Sequence, residues 1–117
     1  MAASEELQKL IERYSDLLAE NPDDVDKLIN LAWSYERAGD YQQAVGYFRQ
    51  AIERDPQNHD AYYGLGLALL GDGQVEEGLQ ALEKARDLAQ NAEDRGETVI
   101  VSQQVEGHLY RFRATSQ

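Results

Sequence analysis

Shifted by 34 residues, this chain lines up with itself. Leu28 falls on Tyr62, Leu31 on Leu65, Ala32 on Gly66 and Tyr35 on Leu69. Further on, Gly39 falls on Gly73, Ala44 on Gly78, Phe48 on Leu82 and Ala51 on Ala85. Shifted the other way, Phe48 falls on Tyr14, Ile52 on Leu18 and Pro56 on Pro22. Size class is kept at nearly every match. A period of this length points to stacked supersecondary units.

Each unit reads as two helices. Positions 28, 31, 32 and 35 are spaced i, i+3, i+4, i+7 and form one helical face. Positions 44, 48 and 51 form a second. Between them, Gly39 suits the left-handed residue that ends a helix. Asp40 then caps the next helix, and Gln43 three residues on completes a capping box. Asp55-Pro56 closes the unit, because the residue before proline is pushed out of helical space. Asn58 is the next cap. Ala32 and Gly66 are small where two helices of a unit cross closely. Tyr35 and Phe48 fill the space where units stack, since each pair leaves an apolar face bare until the next pair covers it.

These residues resemble the tetratricopeptide repeat, whose pattern is W-x2-L-G-x2-Y, A-x3-F, then P. Residues 25–58 read Leu28-x2-Leu31-Ala32-x2-Tyr35, Ala44-x3-Phe48, Ala51 and Pro56. Residues 59–92 read Tyr62-x2-Leu65-Gly66-x2-Leu69, Gly78-x3-Leu82 and Ala85. The departures are Leu28 for the Trp, Gly78 for the Ala and Gln90 for the Pro. The last marks the second unit as the final regular repeat. Gly78 inside a helix costs about 1 kcal/mol relative to Ala, tolerable where a neighbouring helix comes close.

The resemblance implies an all-α, right-handed solenoid of antiparallel helix pairs, about six helices in one domain. Residues 4–22 are its half repeat or N-terminal cap, 25–58 and 59–92 its two repeats, and 96–114 a capping helix. The helices are expected at about 4–20, 24–38, 41–54, 58–71, 75–90 and 97–113. In the first, Leu7, Leu10, Ile11, Tyr14, Leu17 and Leu18 share one side. The last segment is ambiguous. Thr98 to Val101 are all β-branched, which suits a strand, while Val101, Val105, Leu109 and Phe112 are spaced for a helix.

Composition limits the function classes. The 117 residues carry a net charge of −11, which repels phosphate backbones and anionic lipid. Arg95 to Gln117 holds three Arg against two Glu, a local +1 against −12 for the rest. No window has the apolar length of a membrane span, and the N-terminus lacks the basic-then-apolar order of a signal peptide. Cysteine is absent, so disulfides and thiolate metal sites are excluded; a reducing cytoplasm fits.

Catalytic candidates are few. His59 and His108 lie in no metal-ligand spacing. "GDGQVEEG" (71–78) lacks the alternating ligands of a calcium loop, and no glycine-rich stretch follows a strand. No cofactor, metal or catalytic set is expected, and the chain is read as a non-catalytic protein.

In the resembled family, the first helix of each unit lines a concave surface. The residues between packing positions then point into it: Ile29, Asn30, Trp33, Glu36 and Arg37 in unit one, Tyr63, Gly64, Leu67, Leu70 and Gly71 in unit two. Trp33 is the only tryptophan. Ile29, Trp33, Tyr63 and Leu67 would form an apolar strip that contacts another chain, or Trp33 packs within its own chain under the final segment. The family's carboxylate clamp uses Lys and Asn where Ile29 and Trp33 stand, so capture of an acidic tail is not expected. The implied function is a scaffold or adaptor that holds a peptide or helix with apolar and basic residues at roughly micromolar affinity. The alternative is self-association, with the C-terminal segment docking on its own or a neighbouring subunit's groove.

Overall fold

The computed structural model describes residues 4–96, 104, 105 and 107–111. Five helices follow in order: α1 Glu5–Glu20, α2 Val25–Arg37, α3 Tyr41–Arg54, α4 His59–Gly71 and α5 Val75–Asp94. The described C-terminal residues 104, 105 and 107–111 are also helical, and there is no strand among the described residues. Of the segment 98–104, only Gln104 lies within them, and it is helical.

The turns follow from local chemistry. Gly39 and Gly73 take φ values of 79° and 83°, a region where a Cβ is strained. The Asp40 N–H donates to the Tyr35 carbonyl at 2.9 Å, and Gln74 N–H donates to Leu69 in the same way. These bonds satisfy carbonyls that a helix end leaves unpaired. They also correct the expected capping box. Asp40 does accept from Gln43 N–H at 3.3 Å, but its own N–H is already taken by Tyr35, so the Gln43 side chain has no donor to reach. Asp24 caps α2 and Asn58 caps α4 in the same way as Asp40, each side-chain oxygen accepting from the backbone N–H three residues on. Gln74 stands at the head of α5 without a side-chain cap bond.

Helix pairs α2/α3 and α4/α5 pack antiparallel, and α3 then packs on α4 while α1 covers α2. The core is a continuous apolar seam. Leu28, Leu31, Ala32, Ala44, Phe48 and Ala51 are buried in the first pair, and Leu69, Leu82 and Ala85 in the second. Phe48 is wholly buried and reaches Gly64 of the next pair, whose missing side chain leaves room for the ring. Within the second pair, Gly66 and Gly78 face one another. A Cβ on Gly66 would lie 2.7 Å from Leu82, and one on Gly78 would lie 2.9 Å from Leu70. Gly78 therefore interrupts α5 because α4 crosses there at backbone distance, and the close approach offsets its propensity cost.

Two ion pairs, Arg54–Asp23 at 2.9 Å and Arg49–Glu77 at 3.4 Å, tie α3 to the α1–α2 loop and to α5. Both are largely solvated and contribute at most about 1 kcal/mol each.

Helix α5 runs four residues past the expected end at Gln90. No proline stops it, and Ala89 and Ala92 on its last turns are buried. Its extension carries the chain to Gly96 (φ 85°). Val105 and Leu109 then return to bury themselves against Leu82, Ala85 and Ala89.

Candidate interaction surface

The inner side of the stack is built around Trp33. Its indole meets the Phe48 ring edge-on, with centroids 5.2 Å apart at 83°. It also leans on Tyr63 at 6.1 Å and 50°. Trp33 and Tyr63 come together because α2 and α4 are the equivalent helices of successive pairs and touch along one side. Both side chains are only partly buried, so this aromatic step has a packed floor and an open face.

On the α1 side of Trp33 lies an open hollow of about 380 Å³, lined by Leu10, Tyr14, Asn30, Trp33, Ser34 and Arg37. Ser34 is buried and its hydroxyl donates to the Asn30 carbonyl at 2.9 Å, so it shapes the wall without offering a free donor. Arg37 is the one charged residue in this lining.

On the other side, Tyr63 meets the C-terminal helix. Its Oη and His108 Nε2 share a hydrogen bond at 3.3 Å, with ring centroids 6.0 Å apart. Burial pushes the Tyr63 hydroxyl above its ordinary 10, with Glu36 adding to the shift and Arg111 opposing it. Burial lowers His108 below its ordinary 6.5, and the Arg111 guanidinium lowers it further. Both groups are therefore neutral at pH 7, which suits a hydrogen bond in a half-dry contact.

The residues expected in the groove are distributed as follows. Trp33 and Tyr63 form its centre, with Asn30 and Arg37 beside the hollow and Glu36 within electrostatic reach of Tyr63. Ile29 is only 9% exposed and belongs to the core cluster. Leu67 packs towards the C-terminal cluster. Leu70 lies over Gly78 of α5, Gly64 is covered by Phe48, and Gly71 faces Tyr41 of α3. These glycines belong to helix crossings, a role that spacing alone does not separate from a groove lining. Sequence reasoning missed Leu10 and Tyr14, which it placed only on the packing side of the first helix. It also missed His108, for which a motif search has no pattern.

The sequence pattern described as "Tetratricopeptide repeat" matches residues 29–93. This chain belongs to the tetratricopeptide repeat family. Among its relatives are tetratricopeptide repeat protein 7A of Homo sapiens, 32% identical over 82 residues, which are 70% of this chain and 10% of that protein. Another is the photosystem I assembly protein Ycf3 of Acaryochloris marina, 30% identical over 80 residues, which are 66% of this chain and 48% of the relative. The chain thus spans less than half the length of these relatives. Among solved structures, the type III secretion translocator chaperone SycD of Yersinia enterocolitica superposes with a TM-score of 0.76 at 18% identity, over 98% of this chain and 97% of that one. The Sgt2 tetratricopeptide domain of Aspergillus fumigatus gives 0.73 at 21% identity, over 98% and 84%. The fold is accordingly the all-α solenoid of tetratricopeptide repeats. No described helix is long and apolar enough to cross a membrane.

Proposed function

We propose that this tetratricopeptide protein is a non-catalytic interaction module that holds a segment of another protein along the inner side of α2 and α4. Residues 25–58 and 59–92 act as its two repeats, 4–22 as a half repeat and 96–114 as the closing helix. The observation that carries this reading is the Trp33–Tyr63 step: two aromatic side chains from successive repeats, in contact yet half open. An aromatic anchor of this kind contributes on the order of 2 kcal/mol when a partner buries it. The names of the relatives agree with such a role, since one is an assembly protein and a structural neighbour is a chaperone.

The partner's anchor is apolar or carries an acceptor, because Arg37 is the only charge in the hollow. Around that anchor, basic residues are favoured by the chain's net charge of −11, which speeds encounter with cations. The test is a displayed library of helical and extended peptides, selected on the wild type and titrated against Trp33→Leu. Bound peptides should weaken about tenfold or more, in line with the loss of a central anchor, and should quench or shift the single tryptophan's emission. Equal binding to both proteins would remove the groove from consideration.

A further inference from the structure

Tyr63 is held between two rings. Its centroid lies 6.1 Å from that of Trp33 and 6.0 Å from that of His108, and each pair is tilted by 50°. The three rings come from α2, α4 and the C-terminal helix, and Tyr63 joins the outer two. It is only partly buried, so packing alone leaves the ring room to turn. The far end of the side chain is tied to His108 Nε2 by the 3.3 Å hydrogen bond. His108 is delivered there by its own helix. Val105 and Leu109, which flank it, are buried against Leu82, Ala85 and Ala89 of α5, while the imidazole stays outside that cluster. A partner that covers the Trp33–Tyr63 step gains from a ring already in place, because an anchor that must be ordered on binding loses part of its contribution.

We infer that His108 is a positioning residue of the interaction surface: it holds the Tyr63 ring against Trp33, and protonation of its imidazole releases the ring and weakens partner binding. The inference rests on the Trp33–Tyr63 step being the contact surface, as proposed above, and names how that surface is regulated.

The surroundings of the imidazole set the direction. Burial opposes its protonation, and so does the Arg111 guanidinium three residues on in the same helix. From α4 it meets the Tyr63 hydroxyl, which is uncharged at pH 7 and supplies no countercharge. From α5 its helix meets apolar side chains. Glu36 of α2 acts on Tyr63. The neutral imidazole is therefore the form that stays docked. The other histidine, His59, lies one turn before Tyr63 on α4, with its Nδ1 3.4 Å from Asp60 Oδ1. It is kept in every variant below, as is Glu36, so their titration cancels in the comparison.

The test has two arms. In the first, NMR signals of the His108, Tyr63 and Trp33 rings of the free chain are followed from about pH 8 to about pH 5, across the ordinary imidazole range. In wild type the Trp33 indole signal should follow the titration of His108, with a midpoint below 6.5. In His108→Gln, which keeps a neutral hydrogen-bonding end, it should stay constant. In the second arm, peptides selected for dependence on Trp33 and free of Asp, Glu and His are titrated at about pH 7.5 and about pH 5.5, on either side of that transition. Wild type should bind about threefold or more weakly at the lower pH, as when part of a population is no longer competent to bind. His108→Gln should bind alike at both, and His108→Ala more weakly than His108→Gln at both. A Trp33 signal that ignores the His108 titration overturns the inference. So does wild-type affinity that is equal at the two pH values, or a pH effect as large in His108→Gln. His108→Ala binding as tightly as wild type at the higher pH also overturns it. If Trp33 follows His108 yet no Trp33-dependent peptide is found, only the contact surface fails. If such peptides bind with a flat pH profile in wild type, the contact surface stands and the role of His108 fails.

Discussion

Replacing a helical glycine by alanine ordinarily stabilises a protein, and this fold contains one position where it should and one where it should not. Gly46 lies exposed within α3, and a Cβ there meets nothing within 4 Å. Gly46→Ala should add about 0.5–1 kcal/mol by reducing the freedom of the unfolded chain and improving helix propensity. Gly64 lies in α4, and its Cβ would occupy the place of the Phe48 ring. That ring is wholly buried and braced by Trp33 at 5.2 Å, so it has no free volume to retreat into. Overpacking of this kind costs roughly 1–3 kcal/mol. With the propensity gain of about 1 kcal/mol set against the upper part of that range, Gly64→Ala should be destabilising by about 1–2 kcal/mol. In a domain of this size that lowers Tm by about 4–8 °C, whereas Gly46→Ala raises it by about 2–4 °C. Thermal and urea unfolding of the two variants side by side measures both. Tryptophan emission should shift in Gly64→Ala alone, because Phe48 moves against Trp33. If both variants stabilise by similar amounts, the packing described for α3 against α4 is wrong.

Three further outcomes are expected. Asp40→Ala should cost about 1 kcal/mol through loss of its cap bond, while Gln74→Ser should gain about 0.5–1 kcal/mol at the corresponding uncapped head of α5; urea midpoints decide both. His108 is held below 6.5 by burial and by Arg111, so between its folded value and 6.5 the unfolded chain binds more protons. The contribution of its docked, neutral form is complete above that window and is lost as pH falls through it. Protection of the Val105 and Leu109 amides, taken relative to their intrinsic exchange rates, should therefore fall on acidification in wild type but not in His108→Gln. Leu109→Ala, at 1% exposure, should cost about 2–3 kcal/mol and loosen the C-terminal helix first, visible as exchange at 104–111 rising ahead of α2 and α3.

The repeat was legible because its restraints are local. The period, the Gly-Asp turn and the small-large alternation at Ala32, Gly66 and Phe48 depend on neighbours a few residues away or one unit away. The reading was less secure where a position serves two surfaces. Gly64 and Leu70 share the helical spacing of Trp33 and Tyr63, yet crossing angles turn them towards Phe48 and Gly78. A helical wheel does not contain those angles. The Tyr63–His108 bond spans 45 residues and depends on α5 continuing to Asp94. That length follows from burial of Ala89 and Ala92, not from any stop signal in the chain.

The glycine-to-glycine crossing of α4 and α5 also sets what this molecule can become. Both partners are already the smallest residue, so growth at one has no compensating reduction at the other, and parting the helices would unseat Leu82 and Leu70 together. Drift is blocked there in either direction. Asn30 and Arg37, by contrast, border open space and brace no crossing. Substitutions along the inner wall can therefore accumulate while the joint that orients it stays as it is.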